Sequence, residues 1–208
     1  MFEIENILLF LGLSWVLIVT PGPDLIYVLT KGIANGKRAG LISAVGVVLG
    51  ILVHTVFAAV GLSAILQTSA LAFTMIKFVG AGYLIYLGVK SLLGSKEWKI
   101  SQGAPSSNRK LFTQGLLSNT LNPKVALFFI AFLPQFISTT STVSVPIQLI
   151  TLGLLFATCT LIFLSLLGYF SGAVGLYLNR KKKLASIIQY ISGVVMVMLG
   201  VRLAFTRK

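Results

Sequence analysis

Few ionisable residues interrupt the long apolar runs of this chain, and two of them stand directly behind a proline. Asp24 closes the segment Thr20-Pro21-Gly22-Pro23-Asp24, and Lys124 closes Asn119-Thr120-Leu121-Asn122-Pro123-Lys124. Proline lacks an N–H and its ring clashes with the preceding turn, so each segment should unwind the helix that runs through it. A charge at the centre of a membrane helix costs at least about 2.5–3.5 kcal/mol, so it pairs or faces water. A carboxylate and an ammonium brought together would grip a zwitterion. Its ammonium would lie near Asp24, and its carboxylate near Lys124 or a half-helix N-terminus, where the dipole favours anions. Three other readings exist: simple structural kinks, a buried ion pair that meets no substrate, and an Asp24 that reaches the interface from late in its run.

The candidate substrate-binding residues are therefore Thr20, Pro21, Gly22, Pro23 and Asp24 with Asn122, Pro123 and Lys124. His54, the single histidine, is a candidate proton relay because an unperturbed imidazole titrates near ~6.5; its alternative is a hydrogen-bonded packing role. Lys77 and Arg202 sit near the ends of their runs and are expected to snorkel to the interface.

Other chemistry has too few residues. One cysteine (Cys159), one histidine and four carboxylates make neither a disulfide framework nor a thiolate metal site. No nucleophile–base arrangement accompanies them, so neither an enzyme nor a cofactor is expected. No GxxxxGK[ST] loop occurs, so the chain hydrolyses no ATP and any driving force comes from an ion gradient or a partner. The alternative to an organic-solute transporter is a channel or transporter for a metal or inorganic ion or other small metabolite. Hard cations want several oxygen ligands, and only Asp24 lies inside a run.

The elements that must position these residues are read from hydropathy. Hydrophobic residues make up 56% of the 208 and charged ones 10%, with a mean hydropathy of +0.97. Soluble domains carry about 25% charged residues; this chain cannot coat a water-facing surface and suits a lipid bilayer. A spanning helix takes about 20 mostly apolar residues. Six runs qualify: Ile7 to Leu29, Ala39 to Leu66, Leu71 to Leu93, Leu111 to Ile137, Val145 to Leu178 and Leu184 to Phe205. Glu3 and Glu5 precede the first run without an early Lys or Arg, unlike a cleavable signal peptide. That run is expected to stay.

The net charge of +13 could suggest nucleic acid, but the basic residues cluster between the runs, so no nucleic-acid partner is expected. Loop one carries Lys31, Lys37 and Arg38, loop three Lys96, Lys99, Arg109 and Lys110, and loop five Arg180, Lys181, Lys182 and Lys183. Loops two (around Gln67 to Ala70) and four (Ser138 to Ser144) carry none. The positive-inside rule then puts loops one, three and five in the cytoplasm and both termini outside, with Arg207 and Lys208 opposed but outnumbered.

The polar stretch 94–110 divides the chain into a first three-helix repeat, 1–93, and a second, 111–208. An odd number of spans per half forces opposite orientations, the inverted-repeat plan of many secondary transporters. Each half breaks its first helix: at ~1.5 Å per residue, Pro21 lies roughly 21 Å into its span and Pro123 roughly 18 Å. Matched interruptions point to a binding site. The expected fold is thus an all-α integral membrane protein, six transmembrane helices in a 3+3 inverted repeat with broken first and fourth helices. The GxxxG pairs Gly46/Gly50 and Gly168/Gly172, and Gly80, Gly82 and Gly88, are expected to pack helices within the protomer; a homodimer is the alternative use.

Two long segments carry a family resemblance. TPGPDLIYVLTKGIANGKRAGLISAVGVVLG from Thr20, followed by KFVGAGYLIYLGVKSLLG to Gly94, and FTQGLLSNTLNPKVALFFIAFLPQF, Phe112 to Phe136, resemble the LysE/RhtB family of amino-acid exporters. The resemblance extends over nearly the whole chain. It implies an exporter of amino acids or their derivatives in a prokaryotic cytoplasmic (inner) membrane, working by proton or ion antiport. The family's first motif falls on Thr20 to Asp24, where members often carry Asn in place of Asp24, and its second on Asn122, Pro123 and Lys124. The Ser-Pro common between spans two and three is Ser69-Ala70 here.

Overall fold

A computed structural model describes residues 4–62, 70–93, 106–138, 141–180 and 182–205, and every regular element among them is a helix. In chain order these are α1 (Ile4–Val19), α2 (Pro23–Asn35), α3 (Lys37–Phe57), α4 (Ala70–Leu93), α5 (Asn108–Thr120), α6 (Pro123–Leu127), α7 (Val145–Tyr169), α8 (Ser171–Arg180) and α9 (Lys182–Phe205). Two wide π-turn segments extend them: Ala58–Leu62 prolongs α3, and Phe128–Phe132 prolongs α6 before a 3-10 turn, Leu133–Phe136.

The protein is an integral membrane protein. Helices 37–61, 71–93 and 145–169 are long and apolar enough to cross a bilayer. Two bent pairs, α1 with α2 and α5 with the 123–136 rod, bring the candidates to five. The apolar part of α9, Gln189–Phe205, is shorter. Large apolar side chains cover the outside, with Val60 72%, Leu71 73% and Phe205 81% exposed. Water would not tolerate patches of that extent on a soluble monomer; lipid tails do.

Both expected breaks are present. The chain bends 53° between α1 and α2 and 45° between α5 and the 123–136 rod. Proline takes the first helical position of both α2 and α6, where its missing N–H has no intrahelical role. Elsewhere the boundaries differ from the hydropathy runs. The fifth run does not continue to Leu178 as one helix: the turn closes at Phe170, whose N–H bonds the Leu166 carbonyl. The following α8 packs instead on α2, with Gly175 against Ile33. Helix α5 begins at Asn108, inside the polar stretch, because Ser107 caps it by accepting from the Lys110 N–H. Residues 63–69 and 94–105, Lys181, Arg207 and Lys208 lie outside the described residues, and with them most of the neutral second loop, most of the linker and Ser69.

Glycine contacts set the packing. α3 runs parallel to α5, where a side chain at Gly46 would strike the Phe112 carbonyl and one at Gly50 would strike Asn119. α3 runs antiparallel to α7, Gly40 meeting Gly168 and Gly153 meeting Thr55. α4 and α9 form a second antiparallel pair through Gly88, Gly193 and Gly200. Gly46, Gly50 and Gly168 thus pack within the protomer, whereas nothing lies near Gly172 or Gly82. Gly36, at φ +84, makes the corner between α2 and α3, a conformation other residues rarely adopt. Phe10, Phe128, Phe129, Phe132, Phe136 and Phe156 fill the centre, with Phe128 and Phe156 ring centroids 5.0 Å apart. This aromatic block underlies the second break.

Candidate functional site

A proline in a helix removes the N–H that would serve the carbonyl one turn earlier. At the first break Pro21 leaves the Leu17 carbonyl free, and the unwinding leaves that of Thr20. Lys124, only 8% exposed, crosses from the other break and donates its Nζ to both, at 2.7 Å to Leu17 O and 2.8 Å to Thr20 O. Its stem passes Gly22, where an added Cβ would sit 3.5 Å from Nζ. At the second break Pro123 withholds the helical partner of the Asn119 carbonyl. The Asn122 N–H takes that oxygen at 2.8 Å, and His54 Nε2 approaches it at 3.1 Å. The carbonyl can only accept, so in this pairing Nε2 carries a proton.

Asp24 makes the reverse crossing. One carboxylate oxygen accepts from Asn119 Nδ2 and Asn122 Nδ2, both at 2.8 Å, and the other from the Ser118 hydroxyl at 3.3 Å. Asn122 works with both ends, since its Oδ1 caps α6 by accepting from the Lys124 N–H at 3.0 Å. The hydrogen bonds of Asp24 and Lys124 therefore run to the opposite break and not to each other. Each break is held by a charged side chain from the other half of the sequence.

Between them lies a small cavity of about 30 Å³, whose polar lining includes Thr20, Gly22, Asp24, Asn119, Asn122, Lys124 and Thr160. Leu17, Ile18, Ile51, Val125, Phe156 and Leu164 are among the apolar lining. Five of the eight residues expected from sequence line it. The three prolines do not: Pro21 is half-buried, and Pro23 and Pro123 are exposed at their helix starts. They make the breaks and supply no surface to the cavity. His54 stands behind Asn119, against the Phe129 ring at 5.9 Å. Sequence reasoning passed over Asn119 and Ser118 as ligands of Asp24. The signal was available for Asn119, a polar residue one helical turn before a proline. Among the described residues no three of His, Cys, Asp and Glu gather as metal ligands. Lys77 lies over the neighbouring Phe78 ring at 4.7 Å, and Arg202 is exposed.

The profile of the LysE type translocator family matches residues 15–207, across both breaks. The chain belongs to the LysE-type translocators. It is 34% identical to a protein of Enterobacter sp. (strain 638) named leucine efflux protein, covering 92% of this chain and 91% of that one. A Klebsiella pneumoniae protein of the same name is 32% identical, with 98% and 96% covered. An uncharacterized membrane protein of Bacillus subtilis (strain 168), YrhP, is 29% identical, with 95% and 98% covered. No solved structure matches. The translocator is accordingly a multi-pass membrane protein, and its paired breaks fall within the part that defines the family.

Proposed function

We propose that this translocator exports neutral amino acids with apolar side chains, leucine among them, from the cytoplasm by proton antiport. One observation carries the reading: a carboxylate and an ammonium from different halves of the sequence line one cavity, set among backbone groups freed by helix breaks. Irregular backbone at membrane depth is tolerated where it is buried or lines a cavity. A substrate ammonium would take Asp24. Its carboxylate would take the N-terminus of α2 beside Gly22, since the Lys124 ammonium is already committed to two carbonyls. The apolar lining would receive the side chain.

Charge argues for a neutral substrate. Asp24 and Lys124 balance each other, and a zwitterion preserves the balance. A cationic side chain would add a buried charge whose desolvation costs several kcal/mol. The leucine efflux relatives favour the same class. At about 30 Å³ the cavity holds about two waters, so transport requires the halves to separate first. The 3+3 inverted repeat fits the matched bends and the antiparallel α3–α7 and α4–α9 pairs: α1–α2, α3 and α4 would correspond to α5–α6, α7 and α9. The basic loops favour cytoplasmic loops one, three and five, with both termini outside. His54 remains a candidate for moving protons.

The test is efflux from proteoliposomes loaded with a panel of labelled amino acids, with and without a pH gradient. The expected result is gradient-dependent release of leucine and similar residues, with lysine and arginine retained. Failure of folded protein to release any amino acid would overturn the reading.

A further inference from the structure

We infer that Lys124 is a tethered cation that carries the coupling proton, and that its seat on Leu17 O and Thr20 O is the proton-controlled latch of the first break. The inference deepens the exporter reading and rests on it. Its starting point is the chemistry of the seat. Two backbone carbonyls at an unwound helix end are the ligands that transporters offer to a coupling cation. Here the chain's own ammonium fills that place, at 2.7 and 2.8 Å. A fixed cation needs no ion from solution, and it responds to pH through gain and loss of a proton.

The groups around it divide the tasks. Asp24, across the cavity on α2, has its carboxylate engaged by three donors, the Ser118 hydroxyl and the Asn119 and Asn122 amides. His54 on α3 faces Asn119 O and not the cavity. On α7 the titratable groups are Cys159, packed against the apolar cluster, and Tyr169 at the far end of the helix; α1 offers no titratable side chain beyond Glu5. Among the described residues Lys124 alone combines an ionisable nitrogen, a place on the cavity wall and a direct hold on the end of α1.

The step is a simple proton exchange. Protonated, Lys124 pins the end of α1 to α6 through charge-assisted bonds, roughly twice as strong as neutral ones. It releases one proton from Nζ to water on one side of the membrane, which leaves a neutral amine whose remaining N–H bonds to the two carbonyls are no longer charge-assisted. The pin weakens, and α1 can move relative to α6. Uptake of one proton from the other side restores the latch. No other bond forms or breaks.

The experiment uses the full chain in proteoliposomes with labelled L-leucine as probe and two readouts. Leucine–leucine exchange without a gradient reports binding and reorientation; leucine accumulation driven by a pH gradient reports coupling. Lys124→Met removes the charge, and Lys124→Arg keeps a charge that never leaves, so a failure of one to fold leaves the other. In Lys124→Met, exchange is expected to remain measurable above protein-free liposomes while gradient-driven accumulation falls to the level seen without a gradient; in Lys124→Arg the latch cannot release, and both readouts are expected to fall. In His54→Gln, gradient drive is expected to persist. Gradient drive surviving in a Lys124 variant, or lost in His54→Gln alone, overturns the inference while leaving the exporter reading in place. Loss of both readouts in folded Lys124→Met also overturns it, by placing Lys124 in substrate binding. A wild-type protein without leucine exchange defeats the exporter reading for leucine and this inference with it.

Discussion

The two helix breaks have the same cause, a proline, and opposite supports. The second break is capped from within: Asn122 accepts from the Lys124 N–H, and the rod continues into the buried aromatic block of Phe128, Phe129 and Phe132. The first break has no such cap. Gly22 stands at the N-cap of α2 with extended backbone and no side-chain bond, and the end of α1 is secured by Lys124 from the second break. One break carries its own side-chain cap, and the other has the end of its first helix secured from across the molecule. On the latch proposal the part that moves is the end of α1, whose hold is the Lys124 ammonium.

That contrast can be broken at its strongest point first. Lys124→Ala leaves two buried carbonyls unpaired and is expected to cost about 2 kcal/mol or more, since each orphaned buried group costs roughly 1–3. Thermal unfolding of the purified protein would measure it. Gly50→Ala comes next. The new Cβ would lie 2.7 Å from Asn119 Cβ, so α3 or the second break must shift, at an expected cost of about 1–3 kcal/mol in the same assay. Asn122→Ala removes the α6 cap, worth typically ~1 kcal/mol, and one donor to Asp24. It should weaken leucine exchange as well as lower the unfolding temperature.

Gly22→Ala should have the smallest effect. Lys124 is 3.5 Å from the added methyl, an ordinary contact, and extended backbone suits alanine. Alanine is a poorer N-cap than glycine by roughly 0.5–1 kcal/mol, and a methyl beside the proposed carboxylate seat should weaken leucine exchange. Unchanged exchange would mean that the substrate carboxylate does not use the N-terminus of α2.

The sequence revealed the breaks because proline acts locally: Pro21 and Pro123 dictate unwinding whatever surrounds them. The long apolar helices were legible for the same reason, since lipid imposes length and composition directly. The cross-connection was not. A proline shows which carbonyl loses its partner, but which distant donor takes it depends on how the halves dock, and neither Lys124 nor Asp24 announces its target. The division of the fifth run at Phe170 was equally hidden, for no proline or glycine stands at that residue and the helix ends through packing of α8 on α2. The glycine stripes were half readable: Gly168 meets Gly40, whereas Gly172, one turn on with the same spacing signal, meets nothing.

The most direct measurement is hydrogen–deuterium exchange, comparing wild type with Lys124→Met peptide by peptide. If Lys124 holds the first break from the second, the variant should lose protection over residues 17–25 while residues 123–127 stay as protected as before. Lost protection confined to 123–127, with 17–25 unchanged, would show that Lys124 supports only its own helix and would contradict the account.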